Sequence, residues 1–113
     1  MEENTEYIDY EDFKKVEIRT GEIIEVEEIP TSEKLLKLKV SFGEEERQIL
    51  SGIKNYFDDP QELLGKKLPF VTNLKPRKMM GFESEGMILA VNDTENFSLL
   101  EISSKIKNGS PIS

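Results

Sequence analysis

Hydrophobic and polar residues alternate along the first half of the chain with the spacing of half-buried β-strands. The clearest alternation covers residues 36–42, where Leu, Leu, Val and Phe are separated by Lys, Lys and Ser. A longer alternation covers residues 13–29 and contains Gly21, and a glycine inside a strand indicates a bulge or a sharp bend. We therefore predict one long, curved first strand, a regular second strand, and a short third strand over residues 47–51.

Signals for one short helix follow the third strand. Asp59 is suited to cap the start of the helix, Pro60 to occupy its first position, and Glu62 to complete a capping box. Gly65 can end the helix in a left-handed conformation. These signals predict a helix of roughly two turns before the fourth strand.

Further strands are predicted over residues 68–73, 87–91 and 97–102. Five or six short strands, with one short helix between strands 3 and 4, are typical of the OB-fold, an all-β, five-stranded Greek-key barrel. We predict this fold with a C-terminal strand extension, although other small barrels share much of the pattern. In an OB-fold the loop between strands four and five flanks the ligand face, and that loop is here residues 74–86.

The length of 113 residues is sufficient for one domain with a hydrophobic core and too short for two. We expect an acidic N-terminal arm over residues 1–12, followed by the barrel domain over residues 13–113. No apolar stretch resembles a signal peptide or reaches the length of a membrane-spanning helix. We therefore expect a cytoplasmic protein with no membrane partner.

Cysteine and histidine are both absent from the chain. Their absence removes thiolate nucleophiles, zinc sites of the Cys/His type and imidazole acid-base chemistry. The carboxylates show no spacing typical of a magnesium or calcium site, and Glu44, Glu45 and Glu46 are expected to form a solvated turn. We therefore predict a non-catalytic protein with no catalytic residue, no metal and no cofactor.

The net charge of −8 argues at first against a nucleic-acid partner. Residues 1–30, however, carry eleven acids and three bases, while residues 31–113 carry twelve of each, so the first segment accounts for the whole imbalance. Between Lys66 and Phe82 the chain has five cations and no acid. A locally positive surface is therefore compatible with an acidic protein.

The loop over residues 74–86 holds three of these cations in a restricted backbone. Pro76 favours an extended conformation at Lys75, and Gly81 allows a turn. Lysine and arginine in such a loop can contact phosphates, and Asn73 or Ser84 could bond to bases or 2′-hydroxyls. A basic loop is more often only a solvated surface, however, and Asn73 could instead cap its own turn.

The apolar residues near this loop allow two interpretations. Met79, Met80 and Met87 are more often core fillers than contacts to a base. Phe82 and Tyr56 could stack on bases, but packing in the core is the more common role for an aromatic residue. Composition alone therefore leaves the binding function open.

Five segments in order resemble the tRNA-binding domain. These segments are residues 12–21, 32–35, 47–53, 73–81 and 84–87. The domain occurs at the C-terminus of many methionyl-tRNA synthetases, as a synthetase beta subunit, in free-standing tRNA-binding proteins, in the endothelial monocyte-activating polypeptide and in the CsaA chaperone family. The resemblance covers roughly residues 8–113 and implies recognition of tRNA shape with little sequence preference.

The resemblance also implies a set of site residues. The RNA-facing rim would consist of Asn73, Lys75, Arg77, Lys78, Ser84 and Met87. Ser51 and Arg19 lie in matching segments on neighbouring strands, and Lys34 would make a long-range phosphate contact.

Three functions are consistent with this resemblance. The first is a module that recruits tRNA to the methionyl-tRNA synthetase catalytic chain, as beta subunit, appended domain or free-standing protein. The basic loop resembles this synthetase branch more than the CsaA branch. The alternatives are a CsaA-like peptide-binding export chaperone, which would use the apolar barrel mouth, and a dimerisation module built on residues 97–113. The resemblance also implies a homodimer, because members of the family pair through their terminal segments, and the strand ending at Pro111 and Ile112 would otherwise present an unpaired edge.

Overall fold

The first strand, β1 (Ile18–Glu28), belongs to both halves of the sheet in the computed structural model, which describes residues 6–113. It pairs antiparallel with β4 (Lys67–Val71) over its first five residues and with β2 (Leu36–Ser41) from Glu22 onward. The sheet curls into a half-barrel because one strand changes neighbours along its length. This curvature confirms the predicted long first strand and the all-β, OB-like fold.

Gly21 stands where β1 crosses the barrel interior. A Cβ atom built there would lie 2.5 Å from a methyl of Val40, 2.7 Å from the ring of Phe42 and 2.9 Å from the ring of Phe70. The strand irregularity predicted for this glycine lies a few residues later, where the register with β2 shifts between Ile23 and Glu25. Gly21 therefore permits close packing, and the bulge itself is formed by the residues that follow.

The core lies between the curled strands and follows the predicted alternation. β2 buries every second residue, and it pairs along its whole length with β3 (Glu46–Ser51). Full burial of an aliphatic side chain contributes about 1.5–3 kcal/mol each, so the core supplies the main driving force for folding. The core cluster consists of Ile23, Val26, Leu36, Leu38, Val40, Phe42, Ile49, Ile53, Leu63, Leu68 and Phe70.

The predicted helix of two turns is wrong in type and length. Pro60–Leu63 form one turn of 3₁₀-helix, and a second such turn covers Lys54–Tyr56. The predicted cap is present, since the Asp59 carboxylate accepts a hydrogen bond from the Gln61 amide at 3.0 Å. The helix ends early because Leu64 is extended, which lets the Gly65 amide donate to the Ile23 carbonyl at 2.8 Å.

The predicted fifth strand is divided. Its first part, β7 (Met87–Ile88), pairs with β4 and completes the sheet order β3-β2-β1-β4-β7. Its second part, β8 (Ala90–Asn92), forms a separate hairpin with β9 (Phe97–Leu99), which is the shortened form of the predicted final strand. The break occurs at Leu89, whose amide still donates to the Pro69 carbonyl at 3.0 Å.

The two chain ends lie against the barrel in different ways. A short strand, β10 (Pro111–Ile112), pairs with β1 within the chain, and the unpaired edge predicted for this strand is its other edge. Of the predicted N-terminal arm, residues 1–5 lie outside the described residues, and Tyr10–Phe13 form a single helical turn with exposed side chains. Among residues 6–113 no helix has the length and apolar character needed to cross a membrane.

Candidate functional site

The segment predicted as a loop, residues 74–86, contains a β-hairpin. Its strands are β5 (Arg77–Met79) and β6 (Phe82–Ser84). Met80 and Gly81 connect them with φ angles of +52° and +84°, both in the left-handed region. Two such residues form a type I′ turn, which fits the twist of a tight hairpin. Gly81 indicated a turn in the sequence, whereas methionine at Met80 is not a hairpin signal.

The hairpin divides the predicted basic residues between two faces. Arg77 pairs with Ser84, and Lys78 pairs with Glu83. Because side chains alternate along a strand, Arg77 shares a face with Ser84 and Lys78 shares the opposite face with Glu83. The three predicted loop cations therefore do not form one continuous rim.

Ser84 anchors the hairpin to the barrel. Ser84 is only 5% exposed. Its hydroxyl accepts a hydrogen bond from the Leu50 amide and donates one to the Gly86 carbonyl, both at 3.0 Å. Gln48 adds a second attachment, donating from its side-chain amide to the Glu83 carbonyl at 2.9 Å. The Ser84 hydroxyl, which was predicted to contact RNA, thus forms its two hydrogen bonds, to Leu50 and Gly86, within the chain. These bonds position the hairpin.

A cavity of about 220 Å³ lies between the hairpin, the end of β3 and the start of β7. Five predicted site residues line it, namely Ser51, Lys75, Arg77, Ser84 and Met87. The other lining residues were not predicted as site residues and are Leu50, Gly52, Leu74, Met79, Gly86 and Ile88. No carboxylate is present among these lining residues.

Lys75 and Arg77 at this cavity, and Lys78 on the other face of the hairpin, form no ion pair with a carboxylate of residues 6–113. Eight of the chain's cations form ion pairs with carboxylates within the described part of the chain. Lys75, Arg77 and Lys78 are not among them, and all three are exposed. Their positive charge is therefore available to an anionic ligand.

Arg19 lies outside the cavity lining and is held by its neighbours. Its guanidinium donates to Glu45 Oε2 at 2.9 Å and to Thr72 Oγ1 at 3.3 Å, and it lies 4.8 Å from the ring centroid of Phe42. Stacking on an aromatic ring and bonding to a carboxylate both restrict the side chain. The structure thus gives Arg19 a bracing role at the end of the barrel.

Glu45 connects Arg19 to a residue that the sequence analysis did not single out, Arg47. Arg47 Nε donates to Glu45 Oε1 at 3.0 Å, and its Nη1 donates to the carbonyls of Thr72 and Glu85. Hydrogen bonds from Arg47 and then Arg19 hold the pKa of Glu45 below its ordinary value. The turn predicted to be simply solvated therefore carries an ionic link between β1, β3 and the hairpin segment.

Asn73 is also engaged within the chain. Its side-chain oxygen accepts from the Glu17 amide at 2.8 Å, and its side-chain nitrogen donates to the Lys15 carbonyl. Instead of capping its own turn, Asn73 fastens the segment before β1 to the exit of β4. Both the oxygen and the nitrogen of the Asn73 side chain, which was predicted to contact RNA, thus form hydrogen bonds within the chain.

Lys34 lies away from the cavity lining in an exposed turn. The Ser32 hydroxyl accepts from the Leu35 amide at 3.0 Å, and the Lys34 carbonyl accepts from the Lys54 amide at 3.1 Å. Its ammonium group has no acidic partner within residues 6–113. The Lys34 ammonium group is therefore placed for a phosphate contact at the periphery of the RNA, and Lys34 does not line the cavity.

Comparison with known proteins identifies the group to which this arrangement belongs. The family model of the tRNA binding domain matches residues 18–111. A methionine–tRNA ligase of Caldanaerobacter subterraneus is 49% identical over 112 residues, which are 99% of this chain and only 17% of that enzyme's length.

Two solved structures share the fold over almost the whole chain. The MetRS-related protein from Pyrococcus horikoshii has a TM-score of 0.91 and 36% identity, covering 96% of this chain and 100% of that one. The chaperone CsaA from Bacillus anthracis has a TM-score of 0.82 and 29% identity, with coverages of 96% and 100%. The family is a binding domain, in agreement with the prediction of a non-catalytic protein. The chain therefore belongs to the tRNA-binding domain family, with methionine–tRNA ligases among its relatives.

Proposed function

We propose that this domain recruits tRNA to the catalytic chain of methionyl-tRNA synthetase through the hairpin cavity. The observation that carries the proposal is the cavity's composition, since Lys75 and Arg77, which have no ion-pair partner among residues 6–113, line a cavity with no carboxylate in its lining. Phosphates are the natural partners of such cations, and contacts to them are independent of sequence. The proposed setting is the cytoplasm, where tRNA is charged.

The geometry around the cavity supports a preorganised site. Ser84 and Gln48 attach the hairpin to β3, and Arg47 bonds to carbonyls on both sides of it. A basic hairpin held in this way loses less conformational entropy on binding than a mobile loop. Asn73 and Arg19, predicted as contacts, support binding by fixing the neighbouring backbone.

The acidic surface elsewhere supports orientation of the RNA. Carboxylates neutralise most other cations, as in the pairs of Glu25 with Lys39 and of Glu27 with Lys37 on the outer face of the sheet. A polyanion is repelled from the acidic regions and attracted to the cavity. The net charge of −8 is thus compatible with a single binding region.

The proposed benefit to the synthetase is a raised local concentration of tRNA. The same role is available to a beta subunit, an appended domain or a free-standing protein. The likeness to a synthetase over 17% of that enzyme's length supports an appended domain, and the full coverage of the MetRS-related protein supports a separate chain.

We further propose that the domain pairs with a second copy of itself. An apolar groove of about 930 Å³ lies beside β10, between the end of β9 and the C-terminus, with Leu100 and Ile106 at least 40% exposed. β10 pairs with β1 on one side only, so its outer edge is continuous with this groove. A two-fold contact would cover both features at once. Sedimentation at micromolar concentration should show twice the mass of 13.0 kDa, and a species at 13.0 kDa alone would contradict pairing.

A peptide-binding chaperone is the second candidate, because the fold is also that of CsaA and the cavity contains apolar side chains. The test is a direct comparison of bulk tRNA and an unfolded polypeptide as ligands of the same protein. We expect tRNA to bind and to resist competition by the polypeptide. Saturable binding of the polypeptide without binding of tRNA would favour the chaperone.

A further inference from the structure

Ser51 stands out among the residues that line the cavity. The residue is 7% exposed, lies at the end of β3 and lines the cavity. Within residues 6–113 its hydroxyl forms no hydrogen bond, whereas the neighbouring Ser84 hydroxyl forms two. Among residues 6–113 the buried side-chain polar atom that lacks a partner is Asn108 Oδ1, so the Ser51 hydroxyl is itself accessible, and water or a ligand in the cavity can bond to it. Ser51 thus offers a donor and an acceptor to a group inside the cavity.

The size and walls of the cavity restrict what that group can be. Its volume of about 220 Å³ exceeds the roughly 150 Å³ of a cavity that holds benzene. Leu50, Met79, Met87 and Ile88 supply apolar walls. Methionine sulfur packs favourably against aromatic rings and adapts to their shape. A flat aromatic ring with hydrogen-bonding groups at its edge matches these surroundings.

The charges at the cavity indicate what is attached to the ring. Lys75 and Arg77 line the same cavity as Ser51 and face no acid there. An aromatic ring that is joined to phosphates would place the phosphates against these cations while the ring occupies the apolar part of the cavity. Each unpaired nucleotide of an RNA has both components.

The geometry points to a subsite for one unstacked nucleobase of the bound RNA. The base lies between Met79 and Met87, the Ser51 hydroxyl bonds to its edge, and Lys75 and Arg77 contact the adjoining phosphates. A hydroxyl donates and accepts, so it can pair with the edge of any base, which suits binding of many tRNAs. This assignment rests on the proposed RNA-binding function and adds that the RNA inserts a base, beyond contacts to its backbone.

Methionine methyl groups provide the test. The chain has four methionines, of which Met79 and Met87 line the cavity, while Met80 lies on the hairpin tip outside the lining. The protein with ¹³C-labelled methionine methyls is titrated with a single-stranded RNA hexamer and with a hexamer of abasic ribose phosphates. We expect ring-current shifts at Met79 and Met87 with the RNA only, with Met80 as the internal control. The abasic hexamer should still bind at low salt through its phosphates.

The possible results separate this subsite from RNA binding itself. If tRNA shifts mobility in a gel but leaves the Met79 and Met87 signals unmoved, the subsite is wrong and the proposed function stands. If tRNA does not bind, both fail. If an unfolded polypeptide moves these two signals and RNA does not, the cavity binds peptide and the subsite is again wrong.

Ser51→Ala is the matching variant, because it removes only a hydroxyl that has no partner among the described residues. We expect it to weaken binding of the RNA hexamer by about twofold to tenfold, with no change for the abasic hexamer. Ser98→Ala, at the exposed residue of β9 and outside the cavity lining, should change neither. An equal loss for both hexamers, or no loss for either, would contradict a base contact by Ser51.

Discussion

Ser84 and Leu50 join the basic hairpin to the barrel, since the serine hydroxyl accepts the leucine amide at 3.0 Å in a buried position. Leu50 is paired in register with Lys37 of β2, and its amide is directed to the hairpin. Together with the bonds from Gln48 and Arg47, this bond crosses from the sheet to the segment that carries Lys75 and Arg77. The position of the cations therefore depends on a residue that is itself nearly inaccessible to ligand.

Ser84→Ala should consequently lower stability as well as tRNA affinity. The substitution leaves the buried Leu50 amide without a partner, which costs about 1–3 kcal/mol in the free energy of unfolding. Urea denaturation measures this change, and Ser98→Ala serves as the control with an expected change near zero. An unchanged unfolding free energy for Ser84→Ala would show that the hairpin is not anchored in this way.

The hairpin tip offers a stabilising substitution. Met80 has a φ of +52°, a conformation that costs a non-glycine residue about 1–3 kcal/mol. Met80→Asn creates the Asn-Gly pair preferred in a type I′ turn, and we expect a gain of about 1 kcal/mol and a higher melting temperature. Met80→Ala keeps the unfavourable φ and should bring no comparable gain. A less stable Met80→Asn variant would contradict the left-handed turn.

Acid should weaken the ionic link at Glu45. Arg47 and then Arg19 hold its pKa below the ordinary 4.5, so ionised Glu45 stabilises the folded state above that pH. The contribution is lost as the pH falls from about 4.5 through the lower folded pKa. The stability difference between wild type and Glu45→Gln should thus be constant above pH 4.5 and shrink below it.

The same comparison in an Arg19→Gln background provides the control. Removing one of the two cations that bond to Glu45 should reduce the pH-dependent difference. The unfolding free energies of both pairs of variants are measured from about pH 3 to pH 7. The ionic strength is kept low, so that salt does not screen the surface charges. A difference between wild type and Glu45→Gln that grows with acid would have the wrong sign and would exclude this account.

The barrel could be predicted from the sequence because hydrophobic and polar residues alternate along its strands. β2 shows this most directly, with Leu36, Leu38 and Val40 all fully buried as their spacing predicts. The helix prediction failed because the cap, Pro60 and Gly65 mark where the turn begins and ends but do not distinguish an α-helix from one turn of 3₁₀-helix. After Leu64 the Gly65 amide donates to the Ile23 carbonyl of β1 at 2.8 Å, and no local signal in the sequence indicates that distant partner.

The predicted site residues illustrate a different limit. Lys75, Arg77 and Met87 line one cavity, whereas Asn73 and Arg19 form hydrogen bonds to other residues of the chain. A motif identifies which residues matter near a site but does not distinguish contact from support. Which of these roles a polar residue has depends on its hydrogen-bonding partners, and those come from segments more than fifty residues away in the chain.

The most direct test of the account is the salt dependence of tRNA binding by the variant Lys75→Ala/Arg77→Ala/Lys78→Ala. Each phosphate contact contributes about −0.7 to −0.9 to the slope of log affinity against log salt, so loss of the Lys75 and Arg77 contacts should flatten the slope by about 1.4 to 1.8, and a phosphate held by Lys78 on the other face of the hairpin would add up to about 0.9. The control removes Lys14, Lys39 and Lys54, which already face carboxylates, and should keep the wild-type slope. Stability should change little in either variant, because these are exposed or surface-paired cations. A hairpin variant with the wild-type slope, or a control with the flattened one, would contradict the assignment of RNA binding to the hairpin.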